Sequence, residues 1–325
     1  MYNHLFLNSF YTLTAALILS TAVARAQPYP SRPVRFIVPG PSGSSQELLA
    51  RIVGNKLSQQ MGQSFVVDAR AGASGLIGLE AARTAAPDGY TLLAATSTLL
   101  SGLPALKPKL GYDPDRDFIA LSRMASVANI VTVGAALGVD TAADFVKLAK
   151  ARPGQLNFGS AGNGSPAHLA GAMFNVLAGV NTVHVPYKGS AQALVDIMAG
   201  QLQFIITSPL IALPQAKSGR IKLLATTGAK RDPLLPDLPV FADVVPGYEI
   251  TQWWGIVLPA GAPAAISTRL HGEIITALKS PEVAGLLARQ GTTAQPESPA
   301  EFSAYMKAER KRIAHIGKQA NIILD

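Results

Sequence analysis

The sequence predicts an α/β protein of two lobes joined by two hinge strands. Three observations carry that reading. Short runs of branched and aromatic residues alternate with helical patterns, the alternation comes in two separate sets, and two longer extended stretches lie between the sets. Composition agrees with it. The 325 residues are 48% hydrophobic and 15% charged, which leaves enough apolar surface to offset the entropy of ordering, and the length suits about two domains of ~150 residues.

The chain opens on a leader. Leu13–Val23 is apolar or small, and Ala24-Arg25-Ala26 places small residues at the two positions that a signal peptidase reads, so residues 1–26 are expected to be a signal peptide cleaved near Ala26, on the way to the periplasm. A membrane anchor needs ~20 apolar residues, and this run is interrupted by Thr14, Ser20 and Thr21 and stopped by Arg25. Beyond the leader, Val34–Val38 reads as a strand. A helix follows over about 47–60, where Leu48, Leu49, Ile52, Val53 and Leu57 form one apolar stripe and Gly62 ends it. Phe65–Val67, a helix near 77–85 and Tyr90–Ala95 complete the first set, with parallel strands expected. The second set comprises Leu156–Phe158, a helix from Pro166 to Ala178, Thr182–Tyr187, a helix from Ala191 to Ala199, Phe204–Ile206 and Ile221–Thr226. Phe118–Val133 and Ile250–Leu258 are the extended stretches and hence the expected crossings. They put lobe 1 at residues 27–125 plus 240–325 and lobe 2 at 126–239. The last segment is helical, with Phe302, Met306, Ile313 and Ile316 inward and Lys307, Arg310, Lys311 and Arg312 outward. That exposed charge predicts a monomer.

Several classes of function are set aside by composition and motif. Cysteine is absent, so disulfides, cysteine-containing zinc or iron–sulfur sites and thiol nucleophiles are excluded. A formal charge of +8 spread along the chain does not make a nucleic-acid surface. No Walker ending follows Ser45, where Gln46 and Glu47 stand, and the spacing of Gly159, Gly162 and Gly164 reverses the Rossmann pattern. Asp113, Asp115 and Asp117 start like a calcium loop, but Phe118 replaces its glycine and Met124 its closing glutamate. No Gly-x-Ser-x-Gly elbow occurs, and the histidines lack metal-like pairing. No catalytic residue, metal or cofactor is expected.

The informative feature is a recurring junction in which a strand ends in a small, polar, glycine-bearing loop that opens directly into a helix. Pro39–Ser45 is one such junction, Gly159–Pro166 the second and Tyr187–Ser190 the third. In the second, Ser165 is a good N-cap and Pro166 a good first helical residue, so free helix N–H groups and the positive end of the dipole face the loop. Such an end holds a carboxylate or phosphate without a lysine. Two such loops, one in each lobe, predict an oxyanion site in the cleft at the carboxyl ends of the strands. His168 either donates to that anion or caps structure, and His184 reads as a packed strand residue. Trp253 and Trp254 lie on the return strand, either split between cleft and core or both in the core.

The blocks YPSRPVRFIVPGPSG, GQSFVVDARAGASGLIG, AAPDGYTLLAATST, LNFGSAGNGSPAHLAG, VHVPYKGSAQALVDIMAGQ and WWGIVLPAGAP, in that order, resemble the exported solute-binding proteins of tripartite tricarboxylate transporters, the Bordetella uptake gene family. The resemblance runs from about residue 29 to 325. It implies a two-lobed periplasmic-binding-protein fold, type II-like, that closes on a small organic carboxylate and presents it to membrane permease subunits. Carried over residue by residue, it implies ligand contacts from Ser42, Gly43, Ser44 and Ser45 in the first loop, together with Ser74. From the second loop it implies Ser160, Ala161, Gly162, Asn163, Gly164, Ser165 and His168. Thr96, Ser97, Tyr187, Gly189 and Ser190 line the family's cleft. Thr207 stands where family members often carry an aspartate facing the ligand, which turns the expectation from an amino acid toward a hydroxylated, aliphatic or aromatic carboxylate. The competing expectation is an exported hydrolase-like enzyme that uses His168 and a cleft serine.

Overall fold

Strand β1 (Val34–Val38) forms where the alternation predicts it, with Arg35 its one partly exposed residue. Ser44 then caps helix α1 (Ser45–Met61), and Gly62, in the left-handed region at φ 69°, closes it by donating to Ser58 O. These coordinates are a computed structural model of the chain, and they describe residues 29–107, 109–162, 165–187 and 189–322. The expected leader over 1–26, and Asn163 and Gly164 of the expected site, lie outside the described residues. The chain divides at Ser31, and the unit Arg32–Asp325 carries all that follows.

After α1 come β2 (Phe65–Ala69), α2 (Leu76–Arg83) and β3 (Thr91–Thr96). β1 pairs in parallel with both β2 and β3, the βαβ arrangement that the sequence predicts. A π-helical turn over Thr98–Gly102 leads into the short helices α3 (Leu103–Leu106) and α4 (Pro114–Asp117). The first long extended stretch divides into β4 (Phe118–Ala128) and β5 (Ile130–Gly134). Next follow α5 (Ala142–Ala151), β6 (Asn157–Ser160), α6 (Pro166–Ala178), β7 (Val183–Pro186), α7 (Ser190–Met198), β8 (Phe204–Thr207), α8 (Pro209–Ala216) and β9 (Ile221–Thr226). The chain ends with β10 (Thr251–Pro259), α9 (Ala264–Lys279), α10 (Pro281–Arg289), β11 (Thr293–Ala294) and α11 (Pro299–Gln319).

The strands make two sheets, in the orders β11-β4-β10-β3-β1-β2 and β7-β6-β8-β5-β9. Both are mixed, where the sequence predicts parallel strands. β10 runs antiparallel to β3 and β4, and β5 antiparallel to β8 and β9. The crossing segments account for this, since a strand that enters from the other lobe reaches its sheet from the opposite end. The sheet changes between Ala128 and Ile130, and again between Thr226 and Thr251.

Each sheet has an aromatic core. Trp253 meets Phe302 edge-on at 5.3 Å in the first, and Phe145, Phe158, Phe174 and Phe204 cluster in the second. Phe241, Val245 and Tyr248, from the second crossing, belong to that second core. Trp254 is buried like Trp253. α11 serves both cores, placing Phe302 and Met306 in the first and Ile313 and Ile316 in the second. Two of its expected outward cations are engaged: Arg310 donates to Leu100 O and pairs with Asp115, and Arg312 pairs with Glu249.

The two crossings are tied at one residue. Thr227 N donates to Asn129 O at 2.9 Å, Thr227 Oγ1 accepts from Asn129 N at 2.9 Å and donates to Ile250 O at 2.6 Å, and Ile250 N donates to Thr227 O at 3.0 Å. Thr227 is fully buried, so these bonds replace solvent that is not available to its hydroxyl.

Candidate ligand-binding cleft

The first glycine-bearing loop is held from within. Ser44 Oγ accepts from Glu47 N at 3.3 Å, as an N-cap should. Glu47, itself buried, turns back and accepts from Gly43 N at 2.6 Å while pairing with Arg51. The Gly43 N–H and then Arg51 hold its carboxyl below the usual carboxylate range. Gln46 Nε2 donates to Ala94 O at 2.7 Å and fastens the loop to β3. Ser42, Gly43 and Ser45 are exposed.

The second loop is built on a different principle. Ser160 is fully buried at the end of β6. Its Oγ accepts from Gly162 N at 3.0 Å, its carbonyl accepts from Tyr187 N at 3.0 Å, and its hydroxyl lies 2.6 Å from His184 Nε2. The ring of His184 stacks on that of His168 with centroids 3.9 Å apart and planes at 11°. Burial, and secondly the His168 charge, push His184 down to about 4, and burial lowers His168 as well. Two rings in face-to-face contact in a half-buried place favour their neutral forms. Ser165 caps α6 by accepting from His168 N at 3.3 Å, and Pro166 follows. No acidic residue stands in the first turn of α6.

A cavity of about 450 Å³ lies between the loops of the first sheet and the start of α6. From the first sheet come Ala73, Ser74 and Leu76, then Ser97, Thr98, Gly102, Leu103, Leu106 and Lys107. The crossings contribute Asn129, Ile250, Thr251 and Gln252. Ser165, Pro166 and Leu169 of α6 and Glu309 and Ile313 of α11 complete it. Ala73 and Ser74 have φ of 46° and 55°, between Gly72 at 126° and Gly75 at 94°. Non-glycine residues in the left-handed region cost about 1 kcal/mol each, and such local strain gathers at functional sites. Glu309, beneath the cavity, accepts from Trp253 Nε1 at 2.8 Å, and burial raises its carboxyl above the ordinary value.

Of the expected ligand contacts, Ser74, Ser97 and Ser165 line this cavity together. The others are placed around it or beneath it. Thr96 Oγ1 accepts from Leu99 N and shapes the turn after β3. Ala161 is exposed and Gly162 partly so. The Tyr187 hydroxyl donates to Asp196 at 2.7 Å and is pushed up to about 12 by burial and then by that carboxylate. Gly189 begins α7 as its N-cap residue, and Ser190 follows as the first helical residue. Thr207 is buried at the end of β8 opposite Ile130. Sequence reasoning missed Glu47, although Ser44 and Glu47 have capping-box spacing. It also missed Lys107, Asn129 and the leucines and isoleucines of the wall, which carry no local signal. A smaller cavity of about 250 Å³ lies behind the crossings, where Arg123 and Glu297 pair and the Arg123 guanidinium sits over the Tyr305 ring.

Comparison with known proteins gives the family and the fold. The family described as the tripartite tricarboxylate transporter family receptor, TctC, matches residues 49–322. Protein BugT of Bordetella pertussis is 32% identical over 301 residues, covering 92% of this chain and 92% of its own. The solved structure of R. palustris Rpa4515 with adipate is 35% identical with a TM-score of 0.72, covering 91% of this chain and 99% of that one. A TctC solute binding protein from Polaromonas, solved with no ligand, has a TM-score of 0.82 at 25% identity over 90% of this chain and 99% of its own. The fold is the two-lobed one of periplasmic binding proteins.

Proposed function

This chain belongs to the tripartite tricarboxylate transporter receptor family of solute-binding proteins, and from that premise we propose that it captures a small carboxylate in the cleft and delivers it, without turnover, to a tripartite membrane permease. The observation that carries the reading is the cavity of about 450 Å³ at the uncapped-by-acid start of α6, bordered by Ser165, Ser74 and Ser97. The positive end of the α6 dipole, answered by no acid in its own first turn, and the hydroxyls of Ser74 and Ser97 on the same cavity suit an oxyanion. That Rpa4515 is solved with adipate supports the carboxylate class. On this reading Ser165 and the start of α6 meet the ligand as the lobes swing about Asn129, Thr227 and Ile250. The proposed lobes are residues 27–125 with 240–325 and residues 126–239, and Phe241, Val245 and Tyr248 of the first pack in the core of the second. The working form is a monomer exported to the periplasm after cleavage near Ala26.

The hydrolase alternative, His168 with a cleft serine, has less support, since the His168 ring stacks on His184 and borders a different cavity from Ser74, Ser97 and Ser165. The test is thermal unfolding of the protein, stripped of co-purified ligand, against mono-, di- and tricarboxylates at low salt. A ligand at 100 times its dissociation constant stabilises by about 2.7 kcal/mol. A saturable shift with the acid recovered unchanged is expected; no shift with any acid, or consumption of one, overturns the reading.

A further inference from the structure

We propose that the cleft takes a carboxylate carried on an apolar body of about five or more carbons, open-chain or ring, and discriminates against compact polyanions and short hydroxy acids. The inference rests on the carboxylate reading of the same cleft and deepens it. Its basis is the apolar part of the lining. Leu76, Leu103, Leu106, Leu169, Ile250 and Ile313 converge on the cavity from five separate segments of chain. Leu106, Ile250 and Ile313 are also members of the second sheet's core, so the wall is a fixed extension of packed interior.

A ligand that lies on such a wall gains by burying methylenes or ring carbons and loses by burying hydroxyls that find no partner there. Charge points the same way. Among the described lining residues the cation is Lys107 and the acid is Glu309, which its burial holds toward the protonated form. A tri-anion would have to shed its water into a cavity that returns one lysine and a single helix start, and desolvation of the unanswered charges opposes it. A body with one carboxylate at the hydroxyl end, or with a second that reaches the Lys107 side, asks for no more charge compensation than the cavity holds.

The test is calorimetric titration of the stripped protein with succinate, adipate and suberate, with butanoate, hexanoate and octanoate, and with malate and citrate, all at one ionic strength. Affinity is expected to tighten about fourfold per added methylene until the cavity fills, with malate and citrate at least ~50-fold weaker than adipate. Leu76 and Leu103 are only partly buried, so Leu76→Ala and Leu103→Ala leave the fold in place. Each is expected to weaken octanoate about fivefold while succinate stays within about twofold. Affinity that is flat or falls with chain length, citrate or malate bound more tightly than adipate, or variants that leave the length dependence unchanged would each overturn the proposal while carboxylate capture stands. Absence of binding by every acid of the panel overturns the carboxylate reading itself and this inference with it.

Discussion

The β1–α1 loop and the β6–α6 loop look alike in sequence, yet they spend their helix starts differently. Each runs from a strand through small polar residues and glycine to a serine N-cap, and in each the serine accepts from the N–H three residues on, at 3.3 Å. In α1 the residue at that third position is Glu47. Its carboxylate takes the Gly43 N–H and a guanidinium, so the positive end of the helix is answered from within the chain. In α6 the same position is His168, stacked on His184, and the position after the cap is a proline with no N–H to offer. Its field is left for something outside the chain, and its cap residue borders the cavity. One residue in the first turn separates a helix start answered by its own carboxylate from one that no acid of its own first turn answers.

The largest expected effect strikes at that difference. Ser165→Asp keeps a good cap but fixes a carboxylate at the cavity wall, and should weaken every carboxylate about 100-fold or more by calorimetry, whereas Ser44→Asp should change affinity less than about threefold. Equal losses at both positions would erase the distinction. Glycines in the two helices give a second contrast. A Cβ at Gly171 in α6 would lie 2.1 Å from the Phe158 ring, whereas at Gly54 in α1 its nearest neighbours are at an ordinary 3.6 Å. Gly171→Ala should cost about 1–3 kcal/mol in denaturant unfolding. Gly54→Ala should stabilise by about 0.5–1 kcal/mol, and a loss there as large as at Gly171 would show that both helices lie equally close to their sheets.

Acid should separate the loops next. His184 has a folded-state pKa of about 4, below its ordinary 6.5, so the unfolded chain binds the proton first. Stability is then full above about 6.5 and falls as pH drops toward about 4. Glu47, held low, keeps its contribution above the ordinary carboxylate range and loses it only at more acid pH. A Tm profile against pH should show the loss between 6.5 and 4, and His184→Asn should flatten it; a wild-type profile already flat there would remove the stacked pair from the account. Smallest of all, Glu47→Gln should leave ligand affinity within about twofold, since the group acts away from the cavity. A tenfold change would mean that the first loop also meets the ligand.

Much of the fold was legible because its signals are local. Pro166 after Ser165 marks the start of α6, the run from Ile221 marks β9, and Val34–Val38 is a short branched and aromatic run; all three have the bounds expected of them. The direction of the crossing strands was not legible, since alternation records burial and not polarity. The site was legible in part. Ser74, Ser97 and Ser165 do meet at one cavity, but Ser160 and the Tyr187 hydroxyl, drawn from the same kind of small polar loop, turn to His184 and Asp196. Nothing within a few residues of either tells which way its oxygen will face.

By itself, then, the sequence determined the alternation of elements, the caps that start and stop them, and the two small polar loops that open into helices, because period, capping and turn chemistry act across three or four residues at fixed spacing. Only the tertiary structure decided which of those loops borders the cavity and what faces it. Those outcomes depend on side chains such as Leu76, Ile250 and Ile313, separated by more than sixty residues from one another, and on the tie of Thr227 to Asn129 and Ile250, and the spacing of such groups is set by how the sheets and α11 pack and not by any local preference.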